Sequence, residues 1–154
     1  MCCTAFKKVL GGGNECYTNA TSAHEKGRNF RFEIRNRTPN QSFCRIKLDG
    51  CVMKSSEGQR CDNVFVRCIN NNTHEVYFVE LKKGSNISKA YEQIVESIKL
   101  FHSKKTPINK EVIVGVIVYH GTPLTSQKSK LLKIEFRKKH GKELHTLSGA
   151  LSIE

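Results

Sequence analysis

Asp62 and the tripeptide Glu80-Leu81-Lys82 are the residues of this chain whose types and spacing can do chemistry. Aspartate is scarce: Asp49 and Asp62 are the only two among 154 residues. Asp62 opens one β-like stretch, and the acid-x-Lys triplet closes the next, at the end of Val76-Tyr77-Phe78-Val79. Between them, Asn70-Asn71-Asn72-Thr73 is a strong turn signal. A hairpin centred on Asn71 puts Asp62 opposite Glu80. Directly opposed residues share a face of a sheet, and so do residues two apart on one strand. Asp62, Glu80 and Lys82 are therefore expected to converge on one patch. Two carboxylates there can ligate a divalent cation such as Mg²⁺ or Mn²⁺, with an ammonium alongside, a combination suited to breaking phosphodiesters. The plainer alternative is an exposed hairpin end with a cross-strand ion pair, worth roughly a few tenths of a kcal/mol.

The elements that must position these residues follow from periodicity. Phe30–Arg35 and Phe43–Val52 alternate apolar and polar residues and read as half-exposed strands. Asp62–Ile69 and Glu75–Lys82 are the third and fourth strands, joined in an antiparallel hairpin. The period then changes. Ile87, Ala90, Tyr91, Ile94, Val95, Ile98 and Phe101 recur at three-to-four spacing, which predicts an amphipathic helix over 87–102 capped by Ser85 or Asn86. Val112–Tyr119 is a continuous β-branched run, the mark of a strand buried on both faces and parallel to its predecessor. A helix over 126–140, ended by Gly141, and a short strand at Leu144–Leu147 complete the order. The expectation is one α/β domain with a mixed sheet flanked by helices; residues 14–29 carry no clear signal. Asp49 ends the second strand. A turn centred between Ser55 and Ser56 would place it opposite Asp62 and inside the same site, while a slip of one residue would turn it to the other face.

Charge points to a partner. The net charge is +12, and residues 99–142 hold eleven Lys/Arg against Glu111 and Glu135. An excess of this size favours a polyanion, nucleic acid before an anionic membrane. The seven cysteines (2, 3, 16, 44, 51, 61 and 68) are odd in number and form no C-x-x-C pair. Without a signal-peptide pattern at Met1–Lys8 they read as reduced thiols in a cytoplasmic protein, with a zinc site drawn from Cys44, Cys51, Cys61 and Cys68 as the alternative.

Asp at the head of one strand, Glu-x-Lys at the tail of the next and a helix straight after resemble the PD-(D/E)XK nuclease superfamily, including small bacterial members, over roughly residues 43–120. One position departs from the pattern: Cys61, not Pro, precedes Asp62. The resemblance implies a restriction-endonuclease-like core and a Mg²⁺-dependent enzyme, with Mn²⁺ able to substitute, that hydrolyses DNA through a metal-activated water. It implies Asp62, Glu80 and Lys82 as catalytic residues and the backbone carbonyl of Leu81 as a third metal ligand. It also implies a supporting Gln93 on the following helix; Glu33 resembles an extra acid found in some members, but the reading here sets it aside. Arg60, Lys83 and the stretch containing Lys128, Lys130, Lys138 and Lys139 would grip phosphates without reading sequence. Such domains often act as homodimers. The rival readings are a catalytically lapsed nucleic-acid-binding module on the same fold and a Holliday-junction-type resolvase.

Overall fold

The computed structural model describes residues 2–24, 31–35, 39–54, 58–83, 86–121 and 125–154. Helix α1 (Thr4–Leu10) and strands β1 (Tyr17–Thr18), β2 (Ser22–His24), β3 (Arg31–Ile34) and β4 (Gln41–Lys47) come first. They are followed by β5 (Asn63–Ile69), β6 (Asn72–Lys83), α2 (Ile87–Ser103), β7 (Ile113–His120), α3 (Ser126–Lys139), β8 (Glu143–Ser148) and β9 (Ala150–Ile153). The α/β expectation holds at this level: a six-stranded mixed sheet in the order β1-β4-β5-β6-β7-β8 forms the centre. β4, β5 and β6 form an antiparallel meander, whereas β6–β7 and β7–β8 are parallel.

Strand alternation splits the interior into two cores. Val64, Val66, Phe78, Ile113 and Ile117 point to one side, where Ile94, Ile98 and Phe101 of α2, Phe6 of α1 and Phe136 of α3 cover them. Phe65, Tyr77, Val79, Val116 and Val118 point to the other. That second face holds a departure from expectation. β3 does not join the meander; it pairs with β2 and, in parallel, with the unforeseen β9 to form a separate three-stranded sheet. Its alternation buries Phe32 and Ile34, and the Phe32 ring lies 5.2 Å from Phe65 and 5.9 Å from Tyr77. The apolar side of β3 thus meets the sheet face-on rather than edge-on.

The hairpin that sets the candidate site has two working parts. Asn70 and Asn71 adopt φ of 51° and 65°, the left-handed pair of a two-residue turn closed by Ile69 opposite Asn72. By itself that turn would put Val79, not Glu80, across from Asp62. A bulge corrects it: Cys68 pairs with Thr73 but Arg67 with Glu75, so His74 is the extra residue. Beyond it, Asn63 pairs with Val79, and the expected Asp62–Glu80 opposition follows.

The cysteines also differ from expectation. Disulfides join Cys2 to Cys68, Cys3 to Cys44 and Cys16 to Cys51, and Cys61 is a buried free thiol. The reduced-thiol reading is thereby corrected, and the zinc alternative loses Cys44, Cys51 and Cys68. The N-terminal partners lie just before α1 (Cys2, Cys3) and after it (Cys16), and their position against β4, β5 and the turn after β4 has no local signal in the sequence. Among the described residues, no helix is long and apolar enough to cross a membrane.

Candidate metal centre

The centre forms where the β5–β6 ladder runs out. Glu80 and Lys82 share the helix-covered face of β6 with Val76 and Phe78, and Asp62 immediately precedes β5. There the two carboxylates take over from the ladder. The Asp62 N–H donates to Glu80 Oε2 at 3.0 Å, and the Leu81 N–H donates to Asp62 Oδ2 at 3.3 Å. Each carboxylate spends one oxygen on the opposite backbone, which binds the two acids into a reciprocal pair. The N–H and C=O of a strand residue project to the same side, so the Leu81 carbonyl opens toward Asp62 as well.

The electrostatics of this pair are unfavourable as they stand. Glu80 is 4% exposed. Burial first, then the Asp62 carboxylate, push its carboxyl up to about 9; the Asp62 amide and the Lys82 ammonium pull the other way, and Asp49 adds to the rise. Two acids this close in a desolvated corner make ionisation of Glu80 costly.

Helix α2 is set against this corner by a capped start: the Asn86 side chain accepts the Lys89 N–H at 3.1 Å. From its face, Gln93 Nε2 donates to the Arg60 carbonyl at 3.2 Å. Gln93 therefore does reach the candidate centre, through backbone rather than through a carboxylate. The Cys61 N–H donates to Ser97 Oγ at 2.8 Å, and that hydroxyl donates to the Gln93 carbonyl at 2.7 Å. Gln93 Oε1 and Arg60 Nε are buried without a hydrogen-bond partner among the described residues. The Cys61 thiol, enclosed and pushed far up by burial, is no nucleophile.

Other expected residues separate. The β4–β5 register pairs Lys47 with Asn63, and the Leu48 N–H bonds the Asp62 carbonyl, so Leu48 rather than Asp49 lies opposite Asp62. The chain has left the ladder by Asp49, which bridges to Met53; it acts on Glu80 by charge. The turn residues 55–57 used in that expectation lie outside the described residues. Glu33 is remote, in the small sheet, where its carboxylate accepts from Ser152 at 2.7 Å. Arg60 is half-buried. Lys83 ends β6, and its side chain lies outside the described part of the structure. The α3 lysines are exposed but divided. Lys128 and Lys130 lie in the first turns, after the β7 end that pairs with Lys82 and Lys83. Lys138 and Lys139 lie about 15 Å further along the axis, with Lys139 paired to Glu135 and the Lys138 carbonyl bonded by Lys110. Elsewhere, Glu15, Cys16 and Cys51 bring ligand-type atoms together, but the two cysteines are spent on a disulfide.

Sequence reasoning passed over Ser97. Its signal was a small polar residue one turn after Gln93, on the buried side of a helix otherwise lined by Ile94, Ile98 and Phe101. Comparison of the chain with protein-family models, with curated proteins and with solved structures returns no match.

Proposed function

We propose that this chain is a metal-dependent nuclease domain with a restriction-endonuclease-like core, hydrolysing DNA phosphodiester bonds at Asp62, Glu80 and Lys82. One observation carries the reading: two hydrogen-bonded acids meet in a buried corner beside a lysine, and one of them is driven up to about 9 by burial and by its neighbour. Acids whose titration is strongly perturbed by burial and by a like-charged neighbour cluster at functional sites.

The donor set fits Mg²⁺ or Mn²⁺. The Asp62 and Glu80 carboxylates and the Leu81 carbonyl are hard oxygen ligands, the type these cations take, and the two carboxylates are brought together by their bonds to each other's strand. A cation held there supplies Lewis acidity toward a phosphate oxygen and acidifies a water. The chain's own residues do the rest. Asp62 and Glu80 hold the site, and Glu80 releases its proton on loading. Lys82 offsets negative charge growing on the phosphoryl oxygens as water attacks. Lys128 and Lys130, past the same end of the sheet, steer the phosphate backbone toward it.

The cytoplasmic expectation rested on the missing signal-peptide pattern at Met1–Lys8, and the reduced-thiol reading followed from it. Three disulfides favour an oxidising compartment instead. The decisive experiment for the activity is incubation of supercoiled plasmid with Mg²⁺ or Mn²⁺, comparing the parent with Asp62→Asn and Lys82→Ala. Metal-dependent nicking by the parent alone supports the reading. Equal residual nicking by all three, with DNA still bound, supports a lapsed binding module.

A further inference from the structure

Two side chains one turn apart on α2 grip the two polar ends of a single peptide group. Gln93 Nε2 holds the Arg60 carbonyl at 3.2 Å, and Ser97 Oγ holds the Cys61 N–H at 2.8 Å. Both atoms belong to the peptide that joins Arg60 to Cys61, so its plane cannot rotate without breaking one bond or the other. The next peptide is pinned as well, through the Asp62 N–H on Glu80. Asp62 therefore leaves a backbone fixed on both sides, although it stands outside any strand.

Ser97 is fully buried at 0% exposure. A serine in mid-helix commonly satisfies itself on the carbonyl one turn back, and Ser97 does donate to Gln93 at 2.7 Å. If that were its whole role, alanine would serve the helix better. That hydroxyl also accepts from the amide of Cys61, the residue just before Asp62, and removing it leaves that buried N–H unpaired and the peptide free to turn.

We propose that Ser97 is a positioning residue: its hydroxyl locks the Arg60–Cys61 peptide and so aims the Asp62 carboxylate at the cation and at Leu81. This rests on the metal-dependent reading above. Outer-shell groups of this kind typically change metal affinity by about 10- to 100-fold.

The test uses the full chain with its disulfides intact and compares the parent, Ser97→Ala, Ser97→Thr and Gln93→Ala. Mn²⁺ affinity is measured by calorimetry, and backbone amide exchange is measured in metal-free protein. The expected result is Mn²⁺ binding weakened about 10- to 100-fold in Ser97→Ala. The Leu81 amide, whose acceptor is Asp62, should exchange faster while the amides of the β6 centre stay protected. Ser97→Thr, which keeps the hydroxyl, should stay close to the parent. A lower melting temperature with unchanged Mn²⁺ affinity and unchanged Leu81 exchange would make Ser97 merely structural and overturn the proposal. Should Ser97→Ala fail to fold, the half-buried Gln93→Ala decides in the same way: weaker Mn²⁺ binding supports the clamp, parental binding overturns it. A parent that binds no Mn²⁺ defeats the metal reading itself, a failure visible before any variant is compared.

Discussion

Glu75 and Glu80 lie on the same strand, and their surroundings are opposite. Glu75 meets Arg67 at 3.6 Å, the Tyr77 hydroxyl at 2.6 Å and the Lys142 ammonium. Burial would raise its carboxyl, but the hydrogen bonds from Lys142 and Tyr77 and the charges of Lys142 and Arg67 outweigh it and hold the group below its ordinary range. Arg67 is 5% exposed and lies 6.0 Å from the Phe43 ring centroid and 5.9 Å from that of Tyr77. Glu80, on the opposite face, is buried against another acid and pushed up to about 9. Glu75 closes its own electrostatic account within the fold. At Glu80 the Asp62 amide and the Lys82 ammonium do not outweigh burial and the Asp62 charge. Burial raises both carboxyls, and the fixed cations around each decide the net direction.

The sharpest way to break the comparison is at the incomplete end. Asp62→Asn should abolish metal-dependent plasmid nicking, by about 10³-fold or more, while leaving the urea midpoint near the parent's. Retained nicking would place the chemistry elsewhere. At the complete end, Arg67→Ala should cost about 3 kcal/mol of stability in urea unfolding, because it strips a buried acid of one of its cations. Nicking per folded molecule should not change.

A smaller effect separates the two acids by pH. Glu80 titrates higher in the folded than in the unfolded chain, so the folded state holds the extra proton between roughly pH 4.5 and 9. Its contribution to stability is full below the unfolded value and is lost as pH rises toward the folded one. In metal-free protein, Glu80→Gln should therefore flatten that decline and be more stable than the parent at pH 8.5, by about 2 kcal/mol. Glu75→Gln should do the reverse: the stabilisation from its lowered carboxyl is present above the unfolded value, so neutral pH shows a loss. The smallest effect concerns α3. Lys128→Ala and Lys130→Ala should each weaken DNA binding uniformly across sequences and lower the salt slope by about 1. Lys139→Ala should do less, since Lys139 already pairs with Glu135 at 3.4 Å.

Much of this site was legible before the fold was known, for physical reasons. A turn written Asn-Asn and a strict alternation place Asp62, Glu80 and Lys82 on one face with no long-range information. The bulge at His74 was not legible, yet it restores the register that a simpler count on Asn71 supplied. Where a register depended on a turn without a strong signal, as with Asp49, the expectation slipped by one residue. The helix α2 announced itself through its stripe, but the grip of Ser97 on the Cys61 amide is a tertiary hydrogen bond with no local trace. The disulfides were hidden for the same reason. Their partners are 66, 41 and 35 residues apart, and only the packing of the N-terminal segment against β4, β5 and the turn after β4 brings them together. β9 pairs in parallel with a strand more than a hundred residues earlier, a contact no periodicity encodes.

The central claim is that Asp62 and Glu80 form an acid pair awaiting a cation. Crystals soaked in Mn²⁺ test it most directly through the anomalous signal. The account predicts a peak bound by both carboxylates beside the Leu81 carbonyl, weakening as the pH is lowered and Glu80 regains its proton. Density for Mn²⁺ at other sites with none between these two side chains, at a pH where Glu80 is ionised, would contradict it.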